Sequence, residues 1–251
     1  MINKYNASCV ALGNFDGIHI GHDILIRRMV EISQEENLRS IIITFKFVKS
    51  DLKKSKYNMK YINNLDTRLN ILNSYGVYDV VQIELDETIS KYSPEEFIKV
   101  ILKEKFNAKN IVVGYNFTFG YKAMGNINTL KEFEQKYDYK VEEIQPVKFN
   151  GVVVSSTLIR NLIKEGKIQE VNSLLIKNYA ISSKDIFYNY NKNFAFVNNK
   201  SSIVIPAEGV YKVKIGDFIT NVTIVPNDEG SFFKFENNIK PSEINDDIIF
   251  I

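Results

Sequence analysis

Two histidines spaced three residues apart are the side chains whose type and position most clearly indicate chemistry. They are His19 and His22, and the chain of 251 residues contains no other histidine. Both lie in the segment Gly13-Asn14-Phe15-Asp16-Gly17-Ile18-His19-Ile20-Gly21-His22. The glycines would let the main chain approach a ligand without obstruction by Cβ atoms, and each imidazole can donate a hydrogen bond to a phosphate oxygen. The alternative is a glycine-rich turn whose histidines face solvent.

The elements on either side of this segment predict where it lies in a fold. Ser8–Leu12 is short, apolar and partly β-branched, which is typical of a buried parallel strand. After the segment, Leu25, Met29 and Ile32 recur at helical spacing. The histidines therefore lie in a strand-to-helix turn. In open α/β sheets, ligands bind at the carboxyl ends of strands, where the free N–H groups of a following helix attract phosphate.

A second segment whose residue types could bind a ligand is Val113-Gly114-Tyr115-Asn116-Phe117-Thr118-Phe119-Gly120, which follows a predicted strand at residues 110–113. Its aromatic rings offer flat faces to a planar ligand, and its amide can bond to the edge of a ring or to a phosphate. On composition alone, a loop whose rings are anchored in a core is the better explanation, because buried Phe is usually packing.

A third segment, Val154-Ser155-Ser156-Thr157-Leu158-Ile159-Arg160, leads into a helix whose apolar positions are Leu158, Leu162 and Ile163 and which ends at Gly166. Helix capping fully explains the serines. It does not explain Arg160. An arginine one turn into a helix, beside hydroxyls and free N–H groups, can clamp a triphosphate, because its planar fork binds phosphate oxygens in pairs.

Apolar strands alternate with amphipathic helices up to about residue 175, which predicts a parallel α/β sheet. The predicted strands are 8–12, 41–45, 77–83, 110–113 and 140–144, and the predicted helices 66–75, 94–105, 128–137 and 167–175. Residues 46–63 are polar and aperiodic, so we expect a long connection that is a functional lid or disordered. After about residue 180 only short β-type runs follow, at 203–205, 210–215, 218–225 and 231–235.

The predicted fold class is therefore α/β: a Rossmann-like domain at residues 1–178, followed by a small antiparallel β domain, an incomplete barrel, at 179–251.

Composition excludes several classes of protein. The chain has 32 Lys and Arg against 30 Asp and Glu, a formal charge of only +2, so no nucleic-acid partner is expected. Its single cysteine, Cys9, cannot form an intramolecular disulfide and is expected to be a core residue. No apolar stretch approaches the roughly 18 residues of a membrane span. We therefore expect a cytoplasmic protein that does not enter a membrane.

The three motifs together resemble a known family. The first is similar to that of the HxGH-type nucleotidyltransferases, and its Asn14-Phe15-Asp16-Gly17 portion resembles the amino-terminal half of bacterial FAD synthetases. That family also carries a Gly-x-Asn/Asp-Phe-x-Phe-Gly segment and a Ser-Ser-Thr-x-Ile-Arg segment, and this chain keeps both in the same order over about 170 residues. The resemblance implies FMN adenylyltransferase activity, in which ATP and FMN give FAD and pyrophosphate with Mg²⁺.

The resemblance also assigns roles to particular residues. It implies that the catalytic residues are His19, His22, Asn116 and Arg160. The residues expected to bind the nucleotide or flavin are Gly13, Asn14, Phe15, Asp16, Gly17, Gly21, Gly114, Phe117, Thr118, Ser155, Ser156 and Thr157. No side chain is expected to bind a metal directly. Protein partners and oligomeric state are left open.

The chain departs from the family pattern in two loops and in its second half. The family's Phe-x-Pro-His-Pro segment is here Phe45-Lys46-Phe47-Val48-Lys49, and its Leu-Gly-Arg-Pro-Tyr hinge is Leu175-Ile176-Lys177-Asn178-Tyr179. Pro206-Ala207-Glu208-Gly209-Val210-Tyr211 resembles the Pro-x-Asp-Gly-Val-Tyr strand entry of the family's riboflavin kinase half. The kinase's Gly-Phe-Pro-Thr-Ala-Asn metal site is here Asn193-Phe194-Ala195-Phe196-Val197-Asn198, with Phe in place of Thr.

About 40 residues follow the strand entry, and Glu236 stands without the usual surroundings of the kinase base. We therefore expect riboflavin kinase activity to be lost. The alternatives are a bifunctional enzyme, an HxGH transferase with a different phosphate acceptor, and a non-catalytic flavin or nucleotide binder that regulates a partner.

Overall fold

The computed structural model describes residues 7–47, 60–189, 194–237 and 246–251. They form two compact units that interleave along the chain. The first unit comprises the described residues 7–15, 21–47 and 69–147. The second comprises 16–20, 60–68, 148–189, 194–237 and 246–251. The predicted boundary at residue 178 stays a prediction.

The first unit is built on a five-stranded sheet in the order β3-β2-β1-β4-β5. Every neighbouring pair is parallel. The strands are β1 Ser8–Leu12, β2 Arg39–Phe47, β3 Asp79–Leu85, β4 Ala108–Gly114 and β5 Lys140–Ile144. Strand β1 is buried along its whole length, as its apolar sequence predicts. Because β2 and β4 flank it on opposite sides, the strand order reverses at β1, and such reversals are where open α/β sheets bind ligands.

Helices connect these strands, as parallel pairing requires. They are α1 Ile20–Glu35, α2 Leu65–Asn73, α3 Pro94–Glu96, α4 Ile127–Glu132 and α5 Glu134–Tyr137, with a π-helix at Phe97–Lys105 that continues α3 and short 3₁₀ turns at Ile89–Lys91 and Tyr121–Ala123. The core of this unit packs sheet residues such as Val10 and Val113 against the π-helix residues Ile98 and Leu102. These side chains are almost completely removed from water.

The second unit contains a seven-stranded sheet in the order β8-β14-β11-β12-β13-β10-β9, in which every pair is antiparallel. Its strands are β8 Ala180–Ile181, β9 Phe187–Asn189, β10 Phe194–Asn198, β11 Gly209–Ile215, β12 Phe218–Pro226, β13 Gly230–Phe235 and β14 Ile248–Phe250. The unit also holds a hairpin, β6 Lys148–Phe149 and β7 Val152–Val153, the helices α6 Ser156–Lys164 and α7 Ile168–Leu174, and a 3₁₀ turn at Ser183–Asp185. Both sheets together confirm the predicted fold class.

Several element predictions were wrong in detail. Residues 203–205 are not a strand: only Ile203 forms a bridge, to Tyr61, and Pro206 has no N–H to extend a ladder. The predicted helix 128–137 is broken at Phe133, whose ψ of 0° ends α4. The helix predicted at 94–105 exists, but it is π-helical from Phe97.

Two further predictions need correction. Residues 46 and 47 belong to β2 and not to a connection, because they pair with β3. Residues 48–59 of the predicted connection lie outside the described residues. In α6 the apolar face uses Ile159, which is fully buried, while Leu158 is half-buried. Within the described ranges, no helix is both long and apolar enough to cross a membrane.

Candidate functional site

Two of the motif segments leave the parallel sheet side by side. Leu12 at the end of β1 is paired with Val113 near the end of β4. The chain therefore enters Gly13 and Gly114 at the same carboxyl edge, at the point where the strand order reverses. The sequence placed both segments after strands, and the structure makes these strands neighbours. This edge is the expected position for a ligand.

Phe15 supports His22 within the first unit. Its side chain is 0% exposed, and its backbone has a left-handed φ of 49°. A Cβ atom on Gly13 would lie 3.1 Å from the tip of the Phe15 ring, so the glycine makes room for it. The rings of Phe15 and His22 meet edge-on with centroids 5.2 Å apart. The assignment of Phe15 to ligand binding stays a prediction, and its observed contact positions an imidazole.

Asn14 and Gly21 complete this part of the turn. The Thr44 hydroxyl donates to the Asn14 carbonyl oxygen at 3.2 Å, and the Asn14 side chain is exposed. Gly21 lies in the first turn of α1 immediately before His22. A 16-residue helix beginning here presents free N–H groups and positive potential at its amino end.

His19 belongs to the second unit and is almost completely buried, with 6% of its surface exposed. Its backbone forms an isolated antiparallel bridge with Leu175, and the Ile176 N–H donates to the Ile18 carbonyl oxygen at 3.0 Å. Burial lowers the pKa of His19 to about 4. Its imidazole is therefore neutral at neutral pH and carries one ring N–H that can donate.

Asp16 links three segments of the second unit. It is 2% exposed. Its Oδ1 accepts hydrogen bonds from the N–H groups of Ile62 at 2.9 Å and Asn63 at 3.5 Å, and its Oδ2 pairs with Arg160 Nη1 at 2.7 Å. Burial raises the pKa of Asp16 above its usual value. The hydrogen bond from the Ile62 N–H and the positive charges of Arg160 and the buried Arg68 act in the opposite direction and lower it. The carboxylate is thus tied to residues 60–68 and to α6.

Position 17 has to be a glycine, because both its backbone conformation and its surroundings exclude a side chain. Its φ is +57°, in the left-handed region that favours glycine, and a Cβ atom there would lie 2.5 Å from the Ile62 Cδ1 atom. The turn after Asp16 therefore packs directly against Ile62.

The third motif begins α6, as the sequence predicted, but only one of its two serines caps the helix. The Ser155 hydroxyl caps the helix by accepting from the Leu158 N–H at 3.2 Å, whereas the Ser156 hydroxyl donates to the Asp16 carbonyl oxygen at 2.8 Å. Arg160 donates through Nη2 to the Thr157 hydroxyl at 3.1 Å, besides its pair with Asp16. Sequence reasoning missed the Asp16–Arg160 pair, because nothing local relates residues so far apart in the chain.

The segment from Gly114 to Gly120 divides its side chains between a core and the surface of the first unit. Phe119 is buried, with its ring centroid 5.4 Å from that of Phe97, and Phe117 stacks on Phe119 at 5.7 Å. The explanation by core packing therefore accounts for Phe119. Asn116 and Thr118 are exposed, which leaves their polar groups accessible to a ligand.

The candidate residues are thus distributed over both units. The first unit brings together Gly13, Asn14, Phe15, Gly21, His22, Gly114, Asn116, Phe117 and Thr118. The second holds Asp16, Gly17, His19, Ser155, Ser156, Thr157 and Arg160. Among the residues that the structure describes, no group of three His, Cys, Asp or Glu side chains is placed to hold a metal ion.

Comparisons with known proteins agree on one family. A sequence model of the FAD synthetase family matches residues 2–158. The chain is 33% identical over 239 residues to a bifunctional riboflavin kinase/FMN adenylyltransferase of Buchnera aphidicola, covering 90% of this chain and 77% of that protein. It is 28% identical to a FAD synthetase of Listeria monocytogenes, covering 86% of this chain and 84% of that one.

A solved structure has the same fold. It is described as a macrolide-efflux protein from Streptococcus pneumoniae and superposes with a TM-score of 0.76 over 98% of this chain and 85% of its own. The sequences are 23% identical, so this likeness concerns the fold alone.

Proposed function

The chain belongs to the FAD synthetase family, and on that premise we propose that it transfers the AMP group of ATP to FMN, giving FAD and pyrophosphate. The observation that carries this proposal is the position of residues 13–22, the turn that contains His19 and His22. It leaves β1 at the reversal of strand order, beside the Gly114 segment on β4. Helix α1 begins within the same turn.

The proposed reaction needs alignment more than proton removal. An oxygen of the FMN phosphate attacks the α-phosphorus of ATP, the bond from that phosphorus to the bridging oxygen breaks, and pyrophosphate leaves. A phosphate is already ionised at neutral pH, so no strong base is required, and the enzyme supplies positioning and charge stabilisation. His19, His22 and the amino end of α1 would donate to the phosphate oxygens as charge accumulates in the transition state.

Thr157 and Arg160, with the main-chain N–H of Ser156 at the start of α6, are proposed to hold the β- and γ-phosphates. The Ser156 hydroxyl donates its hydrogen to the Asp16 carbonyl oxygen, and Asp16 fixes the Arg160 guanidinium at one edge. Mg²⁺ would enter as part of the nucleotide substrate, because magnesium binds substrate phosphates and retains several waters without a dedicated protein cage.

The flavin end of the reaction is proposed to lie at the Gly114 segment. Asn116 and Thr118 are exposed there, and Gly114 presents main chain without a Cβ atom. Asn116 would bond at the junction between the FMN phosphate and the nucleotide.

Product chromatography tests the proposal. The protein is incubated with ATP and Mg²⁺, separately with FMN and with riboflavin, and we expect FAD and pyrophosphate from FMN. A product made only from another phosphate acceptor would identify a different HxGH transferase. Binding of FMN and ATP without any product would identify a regulator.

We predict that Arg160→Lys weakens the use of ATP more than the use of FMN. Lysine keeps the charge, but its single nitrogen cannot bond Asp16 and a phosphate in the geometry of the planar fork. We expect the apparent KM for ATP to rise about 10-fold and that for FMN to change less than about twofold. Steady-state kinetics with each substrate varied in turn measure both constants. An unchanged KM for ATP would place the triphosphate clamp elsewhere.

We further propose that riboflavin kinase activity is lost. Phe196, which stands where the kinase half of the family has its metal-binding Thr, lies in β10 with its ring centroid 4.9 Å from that of Phe232. A phenyl ring offers no oxygen to a metal. A primary alcohol, unlike a phosphate, needs its proton removed during attack, so loss of this site should be severe.

The riboflavin incubation checks this prediction directly. We expect neither FMN nor FAD to form from riboflavin, while added FMN is converted to FAD under the same conditions. Formation of FMN and FAD from riboflavin at a combined rate near that of adenylylation would make the chain bifunctional, as the Buchnera relative is named.

A further inference from the structure

Asp16 is placed to act through other residues and not on a substrate. Only 2% of it is exposed. One carboxylate oxygen is occupied by main-chain N–H groups of Ile62 and Asn63, and the other by Arg160. Its carbonyl oxygen accepts from the Ser156 hydroxyl. A substrate could reach this carboxylate only if these bonds opened.

Residues 60–63, which we term the brace, form one side of this network. Tyr61 pairs with the stretch that follows β10: its N–H donates to the Ser202 carbonyl oxygen at 2.6 Å, and its carbonyl oxygen accepts from the Val204 N–H at 2.9 Å. Lys60 donates through Nζ to the carbonyl oxygens of Asn199 at 2.8 Å and Ser201 at 2.7 Å. The brace is therefore held at its start by the loop after β10.

More contacts hold the residues next to the brace. Asn64 Nδ2 donates to Asp185 Oδ2 at 2.9 Å. The Tyr179 hydroxyl, fully buried, donates to the Val204 carbonyl oxygen and so fixes the stretch on which Tyr61 lies. All these residues belong to the second unit.

We propose that Asp16 and the brace are positioning residues, through which the loop after β10 fixes the guanidinium of Arg160 for the nucleotide phosphates. The connection runs from the carbonyl oxygens of Asn199, Ser201 and Ser202 to Lys60 and Tyr61. It continues through the Ile62 N–H to Asp16, and from the other carboxylate oxygen to Arg160. Functional side chains need such outer support, because small displacements cost activity. The loop after β10, which belongs to the antiparallel part of the second unit, would then contribute to adenylylation whether or not the chain has a kinase activity.

The connection also explains why an acidic side chain occupies a buried place at position 16. A neutral acceptor would satisfy Ile62, but only a carboxylate also holds a guanidinium with a charge-assisted bond. The role of Arg160 in this inference rests on the proposed function, whereas the connection from Lys60 to Asp16 does not.

The test is a double-mutant cycle on the full chain with Lys60→Met, Asp16→Asn and the combined variant. Lys60→Met keeps the length of the side chain but removes the donors to residues 199 and 201. Lys200→Met is the matched control, since Lys200 is exposed in the same loop. Calorimetry measures the affinity for MgATP without turnover, and steady-state kinetics measure KM and kcat with FMN.

We expect Lys60→Met to weaken MgATP binding about 5-fold in the wild-type background, with a parallel rise in KM and little change in kcat. In the Asp16→Asn background it should have no further effect, because the connection is already cut. Lys200→Met should bind MgATP as the wild type does.

Unchanged MgATP affinity in Lys60→Met, or effects of the two substitutions that multiply fully, would overturn the inference. A wild-type protein that binds MgATP but forms no FAD would refute the proposed function alone, and the binding data would still decide the inference. A wild type that binds no MgATP would overturn both.

Discussion

Replacing either His19 or His22 by alanine is expected to lower the rate of FAD formation by about 10²–10³-fold, the scale for loss of one donor to developing negative charge. The histidines differ in how they are held. His19 is buried and bridged to Leu175, whereas His22 is half-buried against the ring of Phe15. Because the lost hydrogen bond would act mainly on charge that develops in the transition state, each substitution should lower kcat more than it changes the KM for either substrate.

Discontinuous assays with FMN, ATP and Mg²⁺, quenched at set times, measure the rates, and urea denaturation shows whether each variant is folded. His19→Gln is a useful companion, because it retains polarity in the space that alanine would empty. Since burial lowers the pKa of His19 to about 4, the wild-type rate should not follow a titration of His19 near neutral pH. Turnover of either alanine variant within a few-fold of the wild type would remove that histidine from the mechanism.

Asp16→Ala is expected to lower the free energy of unfolding by about 3–5 kcal/mol, the cost of leaving one partner of a buried ion pair behind. Arg160 has only 12% of its side chain exposed in this pair, and Arg68 is buried nearby. The variant also leaves the Ile62 N–H without its acceptor, which adds to the loss. Urea denaturation of the full chain measures the change.

Glu84→Ala is the control for Asp16→Ala. Glu84 pairs with Lys46 at 2.6 Å, but both side chains are exposed, so removal of the pair should cost about 0–1 kcal/mol. A loss for Asp16→Ala no larger than that of the control would show that the carboxylate does not balance a buried charge.

The strand ends and helix starts that carry the motifs were largely predictable from sequence. Strands Ser8–Leu12 and Lys140–Ile144 have the bounds that were predicted for them, and Ser155 caps α6 as its type predicts. Alternation of strands and helices also predicted the parallel sheet, and the family that the motifs indicated is confirmed. These features depend on near neighbours in the chain, which a single sequence displays.

Short strands of the antiparallel sheet were not predicted. Ala180–Ile181, Phe187–Asn189 and Ile248–Phe250 are too short to show a period and exist because a longer neighbour supplies the ladder. The opposite error concerned residues 203–205, whose β-type sequence pairs at one residue only.

The sequence by itself predicted which residues are candidates for phosphate chemistry, and it determined that a strand-to-helix turn presents the two histidines, because residue type and local period specify both. Only the tertiary structure decided that Asp16 is a buried partner of Arg160, 144 positions away, and that Ile62 donates to it. Hydrophobic period shows which face of an element is buried, but not which distant side chain it meets. The pairing of charges inside the second unit was therefore fixed by packing and desolvation, which operate only once the chain has folded.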